Sequence, residues 1–319
     1  MKIVVTGCLG FIGSHFVQYT LNKYPDIEII GFDRNTDTRQ HERIASVKGQ
    51  ENFRLVLGDL TGDISEAFHG AEMIFNFGAK SFVDHSIYSP KSFIDSNIFG
   101  VFNILEFIRH EKDNVLLIQV GTDEVYGPLV GDEPFTEETK LNPTNPYSAT
   151  KACGDLLCET YRLTYGLDIL VTRCENNFGE YQHPQKALPV FIKCALEGKN
   201  IPMYSPGTQK RKWLYVKDHC DAIWTLVNTG AKGVHNIAGG VELENLELAY
   251  KVLRFLEVPY YHDKIEMIDT STIRPFHDKR YHIKAEVLEG LKWKPLHNLD
   301  EALDQTIRWY KKNRRWLVI

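Results

Sequence analysis

The chain has 319 residues, 43% of them hydrophobic and 25% charged, an ordinary globular composition with room for two lobes, because single cores stop growing at about 250–300 residues. A formal net charge of -5 gives no electrostatic reason to bind nucleic acid, and the basic run from Lys311 to Arg315 reads as a solvated helix end. No apolar run approaches the roughly 18–20 residues of a membrane span, and the six cysteines include neither a Cys-x-x-Cys pair nor a zinc-spaced His/Cys cluster, so reduced thiols, no metal, no membrane partner and a cytoplasmic location are expected.

The first predicted strand, residues 3–5, enters Thr6-Gly7-Cys8-Leu9-Gly10-Phe11-Ile12-Gly13 and then a helical pattern, so the N-terminus reads as the first strand of the fold and not as a signal peptide. The glycines permit a tight turn and close backbone approach, and the N-terminus of the next helix can bind a pyrophosphate. A lone glycine triplet is weak evidence, but a strand before it and a helix after it assign Gly7, Gly10, Phe11, Ile12 and Gly13 to a dinucleotide. A second strand, 27–32, leads to Asp33, 20 residues beyond Gly13 (33 − 13). A carboxylate there can hold the adenosine ribose hydroxyls and favours NAD, while Arg34 beside it could accept the 2′-phosphate of NADP.

A third strand, 53–57, delivers Gly58-Asp59-Leu60 to the adenine, with Asp59 and Leu60 as cofactor contacts. A fourth, 73–77, leads to Gly78-Ala79-Lys80-Ser81, expected to run beneath the cofactor. Helical patterns over 92–110 and 147–165 flank two further strands, 115–120 and 169–173. Near-continuous apolar strands such as Val115 to Ile118 suit a parallel sheet covered on both faces. The expected fold is therefore α/β, a Rossmann-type doubly wound parallel sheet with a smaller C-terminal α/β substrate-binding lobe. Residues 1–174 form the dinucleotide domain, with about 212–240 returning to it, and 175–319 form the second domain. Loops at 176–189, 205–211 and 270–278 separate helices at 187–197 and 245–256, and a packed helix over 299–310 closes the chain.

Two clusters carry chemistry. Tyr147 and Lys151 stand at i and i+4 and share a helix face. An ammonium beside a phenol lowers the phenol's pKa towards neutrality and can also bind a nicotinamide ribose. Tyr147 could then take a proton from a hydroxyl while hydride leaves the same carbon, with Thr122 completing the hydrogen bonds around that hydroxyl. Asp123 and Glu124 follow Thr122 at the end of a parallel strand, where side chains border the crevice. Two neighbouring carboxyls can act as acid and base if crowding raises one pKa. Alone, a Tyr-x-x-x-Lys pair is common on helix surfaces, and an acid pair in a turn is as readily a solvated cap.

The segments 122–127 and 146–151, with those downstream, resemble the nucleotide-sugar 4,6-dehydratases of the extended short-chain dehydrogenase/reductase superfamily, above all the dTDP-glucose branch, through nearly the whole chain. That resemblance implies Asp123 as the acid protonating a departing hydroxyl and Glu124 as the base at C5, a pair that epimerases and decarboxylases of the superfamily usually lack. It also implies a nucleotide-diphosphate sugar (a dTDP- or UDP-hexose) held by Ser81, Thr122, Asn176, Lys186, Pro202, Tyr204, Arg211, Asn245, Arg274 and His277. Arg211 and Arg274, from separate loops, suit a diphosphate because each guanidinium can bind phosphate oxygens bidentately. A homodimer pairing the 92–110 and 147–165 helices is implied as well.

The expected reaction is oxidation at C4, loss of water across C5–C6 and return of hydride to C6, with NAD regenerated each turnover. The alternatives are a 4-epimerase or decarboxylase using the same Tyr147 oxidation, and a catalytically silent NAD-binding sensor. Several positions depart from the family pattern: Lys80, Gly121, Glu175, Glu180 and Lys212 stand where it often has glutamate, serine, a small polar residue, proline and aspartate. The two acids, Glu175 and Glu180, are expected near the sugar pocket.

Overall fold

The computed structural model describes residues 1–111, 114–269 and 279–318; Arg274 and His277 lie outside the described residues. Seven strands form one parallel sheet: β1 (Lys2–Thr6), β2 (Glu28–Asp33), β3 (Phe53–Leu57), β4 (Met73–Asn76), β5 (Leu116–Val120), β6 (Ile169–Cys174) and β10 (Gly233–Ile237). Their spatial order is β10-β6-β5-β4-β1-β2-β3. The chain winds outward from β1 in one direction and from β4 in the other, so the switch point, and with it the ligand crevice, lies at the C-terminal ends of β1 and β4. Side-chain alternation builds the two cores: Ile3, Val5, Ile29, Phe75, Ile118 and Leu170 pack on one face, and Val4, Ile30, Ile74, Leu117, Ile169 and Val171 on the other.

The second lobe is built on a three-stranded sheet and a two-stranded one. The first holds β7 (Asn176–Phe178), β9 (Lys210–Tyr215) and β11 (Val241–Glu244); the second pairs β8 (Ile201–Tyr204) with β12 (Ile265–Ile268). Helices Ala187–Leu196, Asn245–Phe255 and Leu299–Lys312 bury Leu188, Ile192, Leu248, Val252, Leu303 and Ile307 against these strands. The helix Val216–Asn228, absent from the sequence reading, packs against Phe11–Lys23, where Trp224 Nε1 donates to Thr20 Oγ1 at 2.8 Å.

The helix expected over 92–110 is not continuous. Lys91–Ile94 and Gly100–His110 are α-helical, but Asp95–Phe99 between them is a π turn. The widened turn carries buried Asn97, whose side chain accepts from Lys80 N at 2.8 Å and donates to Lys80 O and Thr150 Oγ1, both at 3.0 Å. Three bonds to two other segments outweigh the regular helical ladder here. No helix among the described residues is long and apolar enough to cross a membrane, and they contain no His/Cys/Asp/Glu group able to hold a metal.

Candidate active site

The crevice begins at the glycine loop. Gly7 has φ 63, and a Cβ on it would meet the Phe77 carbonyl carbon at 2.8 Å, so only glycine fits. A Cβ on Gly13 would come within 2.2 Å of Gly7 O; the third glycine serves the packing of helix on loop. Helix Phe11–Lys23 opens at Gly10 with no side-chain cap and no acid in its first turn, so its positive end is left for an anion.

Gly7, Gly10, Asp33, Asp59, Leu60, Gly78 and Ala79 line one cleft. Phe11 and Ile12 pack instead against the second-lobe core. Asp33 accepts from Leu9 N and Asn35 N, each at 2.9 Å, which fixes the loop to the end of β2. Arg34 pairs with Asp59 at 3.2 Å. An uncapped helix end beside a fixed carboxylate fits the diphosphate and ribose of NAD, which Gly7, Gly10 and Asp33 would hold.

Beneath the cleft, Thr6, Asn76 and Gln119 stand in register across β1, β4 and β5. Thr6 Oγ1 donates to Asn76 Oδ1 at 2.5 Å, and Asn76 Nδ2 to Gln119 Oε1 at 2.7 Å. Gly78 N donates to Thr6 Oγ1 at 3.0 Å, so the buried row sets the segment carrying Gly78, Ala79 and Lys80. Sequence reasoning missed Gln119 and Asn97; the signal for Gln119 was one amide in an otherwise apolar strand, whereas Asn97 follows Asp95 and Ser96 and carried none. It also missed Arg43, which lines the cleft and donates to Leu9 O at 2.7 Å and Tyr181 O at 3.1 Å.

At the end of β5, Thr122 caps a short turn over Asp123–Tyr126 and accepts from Glu124 N at 3.3 Å. Its hydroxyl faces Asp123 Oδ1 at 3.4 Å and hydrogen-bonds to Tyr147. Tyr147 lies in helix Pro146–Tyr165, started by an Asn145–Ser148 capping box and closed by Gly166 in the left-handed conformation. Burial, then the Glu124 and Glu175 charges, holds the Asp123 carboxyl well above the usual carboxylate range, against Arg211. One Glu124 carboxylate oxygen, Oε2, is buried without a hydrogen-bond partner. A buried carboxyl that holds its proton suits Asp123 to the acid's part of such a pair.

One electrostatic expectation is corrected. Lys151 is 5% exposed, donates to Val120 O at 2.7 Å, and is itself depressed by burial. The Tyr147 phenol is pushed up, not down, by burial first and then by the Glu124 charge. Sharing a helix face was not enough, because the ammonium is directed to a strand carbonyl and carboxylates crowd the phenol.

In the second lobe, Asn176 pairs with Trp213 across β7 and β9, and its Nδ2 is buried with no partner. Lys186 Nζ donates to Ser81 O at 3.1 Å, bringing those two predicted contacts together across the lobes. Pro202 and Tyr204 alternate with buried Ile201 and Met203 on β8. Arg211 stacks 4.4 Å over the Tyr281 ring and its charge reaches Asp123. Asn245 opens its helix, with its N–H on Gln209 O at 3.0 Å.

The two expected pocket acids separate. Glu180 accepts from Tyr215 Oη at 2.9 Å and Gln305 Nε2 at 2.8 Å. Burial opposes its charge, but the bond with His15 and its other partners hold it down at about 2; it fastens the closing helix. Glu175 pairs with Lys212 at 3.5 Å and lies close enough to Asp123 to act on its proton.

A family model described as GDP-mannose 4,6 dehydratase matches residues 4–306. The chain is 36% identical to dTDP-glucose 4,6-dehydratase 1 of Escherichia coli K12, over 99% of this chain and 94% of that one. It is 39% identical to the low-salt glycan biosynthesis protein Agl12 of Haloferax volcanii, over 97% and 98%. The solved structure of DesIV, a dTDP-glucose 4,6-dehydratase from Streptomyces venezuelae with NAD and TYD bound, superposes with a TM-score of 0.92 at 35% identity, covering 99% and 98%.

Proposed function

The chain belongs to the GDP-mannose 4,6 dehydratase family of the extended short-chain dehydrogenases, and from that premise we propose that it is an NAD-dependent 4,6-dehydratase of a nucleotide-hexose, dTDP-glucose first. The observation that carries the reading is the acid pair: a buried Asp123 whose carboxyl lies well above the usual range, next to Glu124, with Thr122 linking it to Tyr147.

NAD, when bound, supplies the acceptor and later the donor of one hydride. Tyr147 takes the proton of the C4 hydroxyl, with Thr122 orienting that hydroxyl and Lys151 holding the nicotinamide ribose. Glu124 removes the C5 proton and that bond's electron pair forms the C5–C6 double bond. Asp123 gives its proton to the departing C6 hydroxyl, and water leaves. The hydride taken from C4 would then return to C6 while Glu124 gives its proton back to C5, which leaves the 4-keto-6-deoxy sugar. Asn176, Lys186 and Arg211 would hold the diphosphate and nucleotide, with Arg274 and His277 from the same lobe. The division of labour follows the lobes: residues 1–174, with the returning segment around 212–240, for NAD, and 175–319 for the nucleotide-sugar.

Six unpaired cysteines suit a reducing compartment, which supports a cytoplasmic location. Phe99, Phe102, Leu156, Leu163 and Tyr165 are exposed on or beside the two long helices, which supports a homodimer formed there. The experiment is incubation with a panel of dTDP-, UDP-, GDP- and CDP-hexoses, reading the alkali-induced absorbance of a 4-keto-6-deoxy product. Conversion of dTDP-glucose without net NADH supports the proposal; steady NADH release during turnover sinks it.

A further inference from the structure

The ends of β5 and β6 lie side by side: Gly121 N donates to Thr172 O at 2.6 Å, and Cys174 Sγ faces Gly121 O at 3.5 Å. Glu175 follows Cys174 directly, and Asp123 stands two residues beyond Gly121. Asp123 and Glu175 are 3% and 2% exposed, and Glu124 completes a cluster of three carboxyl groups.

Glu175 sits in a cradle shaped to a carboxylate. Its Oε2 accepts from Gly239 N at 3.1 Å and Gly240 N at 2.8 Å, and its Oε1 faces Lys212 Nζ at 3.5 Å. A Cβ on Gly240 would stand 2.8 Å from that Oε2, so glycine lets the backbone close on the acid. Among the described residues, the hydrogen-bond partner facing the Asp123 carboxyl is the Thr122 hydroxyl, at 3.4 Å.

Among the described residues, two cations face this cluster, Arg211 towards Asp123 and Lys212 towards Glu175. Three carboxylates against two cations leave one negative charge in surplus. A buried surplus charge is costly enough that a group takes up a proton instead. Glu175 has a cation and two amides, so the proton belongs on Asp123.

We propose that Glu175 is a positioning residue for the elimination: fixed by Lys212 and the Gly239–Gly240 amides, its charge keeps the transferable proton on Asp123. This rests on Asp123 being the acid. The proton moves from the Asp123 carboxyl to the C6 oxygen as the C6–O bond breaks and water departs, and Glu124 receives the C5 proton. The groups facing Asp123 are Glu124 and Thr122 in its own turn, Glu175 and Cys174 at the end of β6, Arg211 on β9 and Tyr147 on the long helix. The Glu175 carboxyl is itself raised to about 7, by burial against Lys212 and the two amides, so its charge is in play near neutral pH.

The test compares kcat and KM against pH for the NAD-loaded wild type and Glu175→Gln, Glu175→Asp, Lys212→Met and Glu175→Gln/Lys212→Met, with dTDP-glucose. Glu175→Gln should move the alkaline limb of kcat down by about one pH unit, a roughly tenfold loss above the limb, with the low-pH plateau kept and KM within about twofold. Glu175→Asp should keep the wild-type limb, and the double variant should restore it, because removing the cation re-creates the surplus. Lys212→Met should move the limb upward.

An infrared titration reads the same proton without turnover, as the protonated-carboxyl band that Asp123→Asn removes. Its midpoint should fall in Glu175→Gln. An unchanged midpoint and limb in Glu175→Gln, a uniform loss of kcat at every pH, or a downward shift in Lys212→Met overturns the proposal. A wild type that converts no nucleotide-hexose overturns the dehydratase reading instead, while the infrared midpoint still decides the role of Glu175.

Discussion

Removing the acid and the base at Asp123 and Glu124 should separate oxidation from elimination. Asp123→Asn and Glu124→Gln should each lower product formation by roughly 100- to 10,000-fold, the usual weight of a general acid or base. The C4 oxidation should survive, so rapid mixing should reveal enzyme-bound NADH that builds up and persists. Turnover of a nucleotide-hexose that yields no 4-keto-6-deoxy product and survives Asp123→Asn with Glu124→Gln would instead favour an epimerase or decarboxylase. Tyr147→Phe should abolish the bound NADH signal itself, because the first proton transfer is lost. At this scale the sequence was informative about which residue types cluster: Thr122, Asp123, Glu124 and Tyr147 do meet. It could not reveal their electrostatics, which depend on depth and on partners distant in the chain. The Tyr147 phenol is crowded by carboxylates, and Glu180 turned out to fasten a helix by way of Tyr215 and Gln305.

Elements were legible where their period was clean. Six of the parallel sheet's strands, four to six residues long, and the helix Pro146–Tyr165 follow from apolar runs, a cap and a terminal glycine, whereas β10 (Gly233–Ile237) was not read from the sequence. The π turn at Asp95–Phe99 was not, because it answers to Asn97 bonds with Lys80 and Thr150 rather than to local pattern. Asn97→Leu leaves both ends of the Lys80 peptide unpaired; it should cost about 1–3 kcal/mol in denaturant unfolding and loosen NAD retention. Helix Val216–Asn228 gives a second prediction. His219 is fully buried there, both ring nitrogens lack partners, and burial lowers it to about 3. A depressed folded pKa means that its contribution is intact above about 6.5 and is lost as pH falls towards about 3. The thermal midpoint of His219→Leu should therefore fall less steeply than the wild type's between those values; parallel curves would contradict the assignment.

For the whole molecule, strand order came only from the structure. Alternating strands and helices indicated a parallel sheet, yet nothing local says that β4 lies beside β1 or that β10 returns to the edge next to β6. The surface proposed for a homodimer is likewise a property of the assembled fold, since the exposure of Phe102 and Leu156 is set by how their helices pack. The proposed homodimer predicts that the wild type sediments as a dimer and Phe102→Asp with Leu156→Asp as a monomer, because a stable interface needs about 1,200–2,000 Å² of matched surface. The central claim is that one hydride leaves C4 and returns within the same active site. It is tested most directly with dTDP-glucose deuterated at C4. The account predicts that the label appears at C6 of the 4-keto-6-deoxy product with no labelled NADH in solution; deuterium remaining at C4, or escaping in free NADH, would contradict it.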